Sequence, residues 1–295
     1  MATLNGEMPP LIVIVGPTAS GKSSLAMKLA EEFDGEIISA DSRAIYKGLD
    51  IGTAKPTLDD QRKIVHWGID LVDAGHHYNA KDFQDYANRA IEDIRSRGKV
   101  PLLVGGTGLY IDAVIYGYTF STTLHGNSRT IFEGMNLDSL QEYCTKHNII
   151  LPENDKNKRY VINTILRGGQ KGTRKQDLIE NTYVVGIATD RAVLRERIAK
   201  RANVIVTPAV LKEAMRVAEQ YGWENEAMTA NIYRLMTPDL TIDDLEGLKE
   251  KFITLDWQLA KRQLTWLRRN EYTKWLSLDD AYTYCARILA KLNNT

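Results

Sequence analysis

Cysteine is scarce in this chain of 295 residues, with only Cys144 and Cys285 present. Two cysteines can neither build a disulfide framework nor furnish a four-ligand zinc site unaided. A charge surplus is also missing: 38 Lys and Arg balance 38 Asp and Glu. That balance excludes a uniformly basic protein, although it leaves open how the charges are distributed. There is no long apolar run. The aliphatic stretch nearest the start, Leu11 to Val15, falls far short of the ~20 residues that span a bilayer. Met1 to Pro10 has no Lys or Arg and does not read as a signal peptide, so a cytoplasmic setting without a membrane partner is expected. The chain is 43% hydrophobic and 26% charged, which suits one large folded domain or two smaller ones and argues against disorder.

Leu11 to Val15 reads as a buried strand, followed at once by Gly16 and Pro17. Leu25, Leu29 and Phe33 share one face of a helix over Ser24 to Phe33, and Glu36 to Ala40 reads as a second strand. A loop is expected over 41–56 and a third strand at Ile69 to Val72. Asn79 is positioned to cap a helix that Gly98 ends. Val100 to Val104 forms a fourth strand before Gly105, Gly106, Thr107 and Gly108. Alternating strands and helices argue for a parallel sheet with covering helices. The alternation fails over roughly 119–181, returns at Tyr183 to Ala188, and gives way to helices, the longest near Leu245 to Arg269. The expected division is 1–118 with 182–295 as one core and 119–181 as an insertion.

Gly16-Pro17-Thr18-Ala19-Ser20-Gly21-Lys22-Ser23 fits G-x-x-x-x-G-K-[ST] without a mismatch, between a predicted strand and a predicted helix. Glycines let several backbone N–H groups wrap a phosphate at a helix N-terminus. Lys22 adds a point charge, and the Ser23 hydroxyl is the usual Mg²⁺ contact. The loop specifies a di- or triphosphate, not a reaction. A nucleotide-dependent kinase or ATPase would need an acid ending a neighbouring strand to hold Mg²⁺. Val100 to Val104 ends in glycines instead, and Asp41 is the nearest carboxylate in a suitable place. It could act as a general base or cap a turn.

The phosphate loop, Ser39 to Pro56 (Ser-Ala-Asp-Ser-Arg-Ala-Ile-Tyr-Lys-Gly-Leu-Asp-Ile-Gly-Thr-Ala-Lys-Pro), Gly105 to Tyr110 (Gly-Gly-Thr-Gly-Leu-Tyr) and Leu259 to Arg268 (Leu-Ala-Lys-Arg-Gln-Leu-Thr-Trp-Leu-Arg) together resemble the tRNA dimethylallyltransferase family, in order along nearly the whole chain. The resemblance implies an α/β fold with a P-loop NTPase-like parallel sheet and a mainly helical insertion that contacts the tRNA anticodon stem-loop. It implies transfer of a dimethylallyl (isopentenyl) group from dimethylallyl diphosphate to N6 of adenosine 37 in tRNA, with Mg²⁺ as cofactor. Gly16 to Ser23 would then hold the donor's diphosphate, which fits the missing Mg²⁺-binding acid, since no phosphoryl group moves. By the same resemblance Asp41 accepts a hydrogen bond from the adenine amine and Thr107 lies near the reacting centre. Arg201, in Leu-Arg-Glu-Arg-Ile-Ala-Lys-Arg at 194–201, matches the diphosphate-binding arginine, and Lys22 and Arg201 stabilise the leaving group. A monomer is expected.

Asp41, Ser42, Arg43, Ala44, Lys158, Arg159, Asn163, Lys261, Arg262, Gln263 and Arg268 are the expected tRNA contacts. On a helical wheel Lys261, Arg262, Arg268 and Arg269 lie on one side, with Leu259, Gln263, Trp266 and Leu267 on the other. Without the resemblance this pattern would equally describe a solvated basic face over a packed apolar one. Asn163 stands where the family pattern has a second arginine, and Tyr160 and Asn231 also depart from it. Trp257, Trp266 and Trp275 read as core anchors. His66, His76 and His77 lack metal-ligand spacing. Alternative functions are prenylation of free AMP or ATP, a small-molecule kinase, or an RNA-binding protein with a degenerate site. The zero net charge conceals segregation: seven Lys or Arg and no acid lie between Lys156 and Lys175, including Lys171. Acids gather elsewhere, as at Glu31, Glu32, Asp34 and Glu36.

Overall fold

The computed structural model describes residues 8–120, 129–170 and 172–293, so Lys171 of the basic run lies outside the described residues. In chain order the elements are β1 (Leu11–Val15), α1 (Lys22–Glu32), β2 (Gly35–Ala40), α2 (Leu58–Lys63), β3 (His66–Trp67), α3 (Ala80–Ser96), β4 (Val100–Gly105) and α4 (Gly108–Ile115). Beyond these come α5 (Arg129–Gly134), α6 (Leu137–Lys146), α7 (Lys158–Leu166), β5 (Thr182–Ile187), α8 (Arg191–Ile205), α9 (Pro208–Tyr221), α10 (Leu245–Leu267), β6 (Lys274–Leu276) and α11 (Leu278–Asn293). Two compact units result, one of residues 1–115 with 178–295 and one of residues 116–177. No helix among the described residues is long and apolar enough to cross a membrane.

The larger unit holds a six-stranded sheet in the order β3-β2-β4-β1-β5-β6, with every pairing parallel. β1 and β4 are buried along their whole length, which is why they read as continuous apolar runs without alternation. Register sets the strand ends. Val15 and Ala40 both pair with Gly105, so β1, β2 and β4 end level with one another. Ligands bind at this carboxyl edge in open parallel sheets. Gly105 permits the close approach, because a Cβ there would lie 2.1 Å from the Ala40 carbonyl oxygen.

The third strand is displaced from the expected Ile69 to Val72. It is His66–Trp67, and Val72 makes only an isolated bridge to Tyr46. Positive φ at Gly68 (80°) and Asp70 (53°) breaks the extended chain in between. The helix capped by Asn79 forms as expected: its side chain accepts from the Lys81 and Asp82 amides, and Asp82 answers the Asn79 amide at 2.9 Å. α2 has a similar box at Thr57 and Asp60, but it buries no residue and so carries no apolar periodicity. Glu36 is no surface acid. It is 2% exposed and paired with Arg97.

In the smaller unit α5, α6 and α7 pack around Phe132, Leu140, Cys144, Val161, Ile162, Ile165 and Leu166. Thr119 and Thr173 exchange backbone hydrogen bonds at 2.8 and 3.0 Å, closing the unit near its ends.

Candidate active site

Three loops leave the level strand ends. After β1, Gly16 to Ser23 curls into the first turn of α1, where Ser20 donates its amide to the Pro17 carbonyl at 3.2 Å. Lys22 Nζ donates to the same carbonyl at 3.2 Å. Side chains from elsewhere brace the loop: the Thr18 amide donates to Gln263 Oε1 at 2.8 Å, and Arg197 donates to the Ser20 carbonyl at 3.0 Å. Desolvation pulls the Lys22 ammonium down to about 8. Asp41 opposes that shift and Arg201 adds to it. All three side chains line one cavity.

After β2, Asp41 accepts the Arg43 amide at 2.8 Å, and the Ser42 amide donates to Thr107 Oγ1 at 3.1 Å. Thr107 in turn donates its amide to the Ala40 carbonyl at 3.2 Å. The loops after β2 and β4 are thus tied to each other across the sheet edge. Arg43 donates to the Glu226 carbonyl at 2.7 Å and to Thr229 Oγ1 at 2.6 Å. Ala44 is buried, and its carbonyl accepts the Asp70 amide.

A cavity of about 1120 Å³ is lined by Thr18, Lys22, Ser23, Asp41, Thr107, Arg201, Arg262 and Gln263 among others. A single small-molecule site usually occupies ~300–1000 Å³, so this one has room for a diphosphate and a base together. The basic helix α10 divides its residues. Arg262 and Gln263 line the cavity, Lys261 is exposed outside its lining, and Arg268 lines a separate cleft with Pro17 and Trp275. Gln263, expected at tRNA, here accepts from the phosphate loop. Trp266 fills the space over Gly108, where a Cβ would lie 2.0 Å from its ring, and its indole donates to Asp112 at 2.7 Å. Trp257, Trp266 and Trp275 are all half-buried.

In the smaller unit Lys158 donates to the Glu133 carbonyl at 2.6 Å, and Asn163 Oδ1 accepts from Arg129 at 3.2 Å. Both side chains therefore have partners within the unit, while Arg159 and Tyr160 are exposed on α7.

Two acids are not evident from the sequence. Glu213 of α9 is buried and accepts the amides of Asp50, Ile51 and Gly52 at 2.8, 3.0 and 3.1 Å, together with the Tyr233 hydroxyl. Asp256 of α10 is 3% exposed and lines the cavity. Each interrupts a buried apolar stripe, and that interruption is the signal that could have found them. Among the described residues no three His, Cys, Asp or Glu gather as a metal-binding group. The Ser23 hydroxyl, exposed on the cavity wall, is an oxygen donor, and it suits an ion such as Mg²⁺ that draws most ligands from substrate and water.

Fold and site define a phosphate-loop α/β protein whose loop faces a carboxylate across the sheet edge. Comparison with known proteins supplies the family: the model of the IPP transferase family matches residues 44–270, and the chain belongs to that family. A tRNA dimethylallyltransferase of Staphylococcus epidermidis is 35% identical over 288 residues, covering 91% of this chain and 87% of the relative. One of Bacillus subtilis is 33% identical, covering 93% of each. Among solved structures, the tRNA isopentenylpyrophosphate transferase of Bacillus halodurans superposes with a TM-score of 0.71 at 28% identity, over 97% of this chain and 98% of the other. A eukaryotic dimethylallyltransferase acting on tRNA gives 0.76 at 26% identity, over 92% and 74%.

Proposed function

We propose that this chain transfers the dimethylallyl group of dimethylallyl diphosphate to N6 of adenosine 37 in the anticodon loop of tRNA. The observation that carries this reading is the common cavity of Lys22, Asp41, Thr107 and Arg201 at the level ends of three strands. The N6 lone pair forms a bond to the allylic carbon while the C–O bond to diphosphate breaks, its electron pair leaving with the diphosphate. The amine proton passes to the Asp41 carboxylate. An exocyclic adenine amine is a weak nucleophile, and a positioned base is worth ~10²–10⁴ in rate. Lys22, Arg201 and the loop amides stabilise the charge that grows on the leaving group. Ser23 would hold Mg²⁺ against the diphosphate, and the bound ion would supply further neutralisation of that charge. An adenosine in an anticodon loop is outside a duplex, so turning it into the cavity costs only a few kcal/mol.

The test is to incubate the protein with radiolabelled dimethylallyl diphosphate, Mg²⁺ and unmodified tRNA, with AMP as a parallel acceptor. Label is expected in tRNA. Label in AMP alone, or ATP hydrolysis without prenylation, would sink the reading.

Donor affinity also has an expected pH dependence. Lys22 begins to lose its charge near pH 8 in the free site, whereas a bound anion favours the charged form. Affinity should therefore fall as pH rises through about 8, with protons taken up on binding. Calorimetry of inorganic diphosphate binding in two buffers of different ionisation heat measures that uptake. The same uptake in Lys22→Met would contradict the assignment.

A further inference from the structure

Asp256 is a buried charge for which the reaction just described has no use. It sits in the buried stripe of α10 with Leu248, Phe252 and Ala260. Its Oδ1 accepts from Asn231 Nδ2 at 2.7 Å. Its Oδ2 lies 3.4 Å from Nε of Arg201, and both of those buried atoms lack a hydrogen-bond partner. The carboxylate and Arg201 line the same cavity as the phosphate loop. Burial holds the Asp256 carboxyl above its ordinary range, while Arg201 and Asn231 pull it back down. A carboxylate in such a place has two opposed consequences. As a negative charge it repels an incoming diphosphate. As a partner on one edge of a planar guanidinium it fixes the orientation of the fork and leaves the other N–H groups for the anion.

We propose that the second effect dominates, so that Asp256, held by Asn231, is a positioning residue presenting Arg201 to the donor's diphosphate. This rests on the reading of Arg201 as a diphosphate ligand. An arginine already held in its binding geometry loses less side-chain freedom when the anion arrives.

The two effects differ in sign, and that makes the test decisive. Inorganic diphosphate is titrated calorimetrically into the full chain and into Asp256→Asn, Arg201→Ala and the double variant, alongside steady-state prenylation of tRNA. The expected result is about tenfold weaker diphosphate binding in Asp256→Asn and a similarly raised donor KM, with the tRNA KM unchanged. In the Arg201→Ala background the same substitution should leave diphosphate affinity unchanged or raise it, because the positioning effect needs Arg201 and only the repulsion remains without it. Tighter binding in Asp256→Asn would overturn the proposal, as would an equal loss in both backgrounds. Asp256→Ser, which still offers Asn231 a hydrogen-bond partner, gives the same comparison should the asparagine variant fold poorly. A wild-type protein that neither binds diphosphate nor prenylates tRNA would instead refute the proposed function itself.

Discussion

Replacing Asp41 with alanine is expected to lower prenyl transfer at saturating substrates by about 10²–10⁴-fold while donor binding persists. Asp41 follows the last residue of β2 and stands level with the phosphate loop because Val15 and Ala40 share Gly105 as register partner. Its carboxylate also has a local task, accepting the Arg43 amide at 2.8 Å. Asp41→Asn separates the two roles. The amide oxygen can still accept from Arg43, so a loop-holding residue would survive that change, whereas a base would not. Both variants should therefore lose turnover to a similar degree. A second effect must be kept apart from the first. Asp41 raises the pKa of Lys22, so removing it makes the ammonium easier to deprotonate. Donor binding in Asp41→Ala should accordingly be measured at low as well as neutral pH, since acid favours the charged Lys22. Weak donor binding at low pH, combined with normal turnover at saturation, would contradict the base assignment.

The parts of the molecule legible in sequence are those governed by local rules. β1 and β4 are buried on both faces and announce themselves as short apolar runs, and β2 shows through its buried Ile37 and Ile38. The phosphate loop is contiguous, and the Asn79 cap spans only four residues. The features that stay hidden in the sequence depend on contacts distant along the chain. β3 moves to His66–Trp67 because it tracks β2, pairing Ile37 with His66, and not because of any alternation of its own. The three-residue β6 is too short to show a period. Gln263 reads as a polar residue on an amphipathic helix, yet it accepts the Thr18 amide, 245 positions away in the chain. Arg197 likewise reads as one of several basic residues on α8, until its bond to the Ser20 carbonyl makes it a brace for the phosphate loop. α8 thus presents Arg197 and Arg201 toward the cavity one helical turn apart, while Ile198 and Ala202 face the core.

Glu213 dictates the second large effect. Its substitution by alanine is expected to destabilise the larger unit by at least about 3 kcal/mol, since three backbone amides lose a charged acceptor. The carboxylate gathers the consecutive N–H groups of Asp50, Ile51 and Gly52, in the same loop that begins at Asp41. Tyr233 closes the arrangement from outside: its hydroxyl donates to Glu213, and the Gly52 amide donates to that hydroxyl at 3.1 Å. Burial and the neighbouring carboxylate hold the Tyr233 phenol well above its ordinary range, so it remains a donor. Glutamine at this position keeps one oxygen but turns an NH₂ group toward amides that can only donate. An aspartate side chain is too short to reach all three amides, so Glu213→Asp should fall between the parent and Glu213→Ala. The loss is local before it is global, and hydrogen exchange at the amides of residues 50–52 should accelerate in Glu213→Gln even where the rest of the sheet stays protected. Position determines the functional consequence. The phosphate loop is braced by Gln263 and Arg197, so diphosphate affinity should hold, while turnover falls as the loop carrying Asp41 loosens. Diphosphate binding lost in step with turnover would show that Glu213 supports the whole site and not this loop alone.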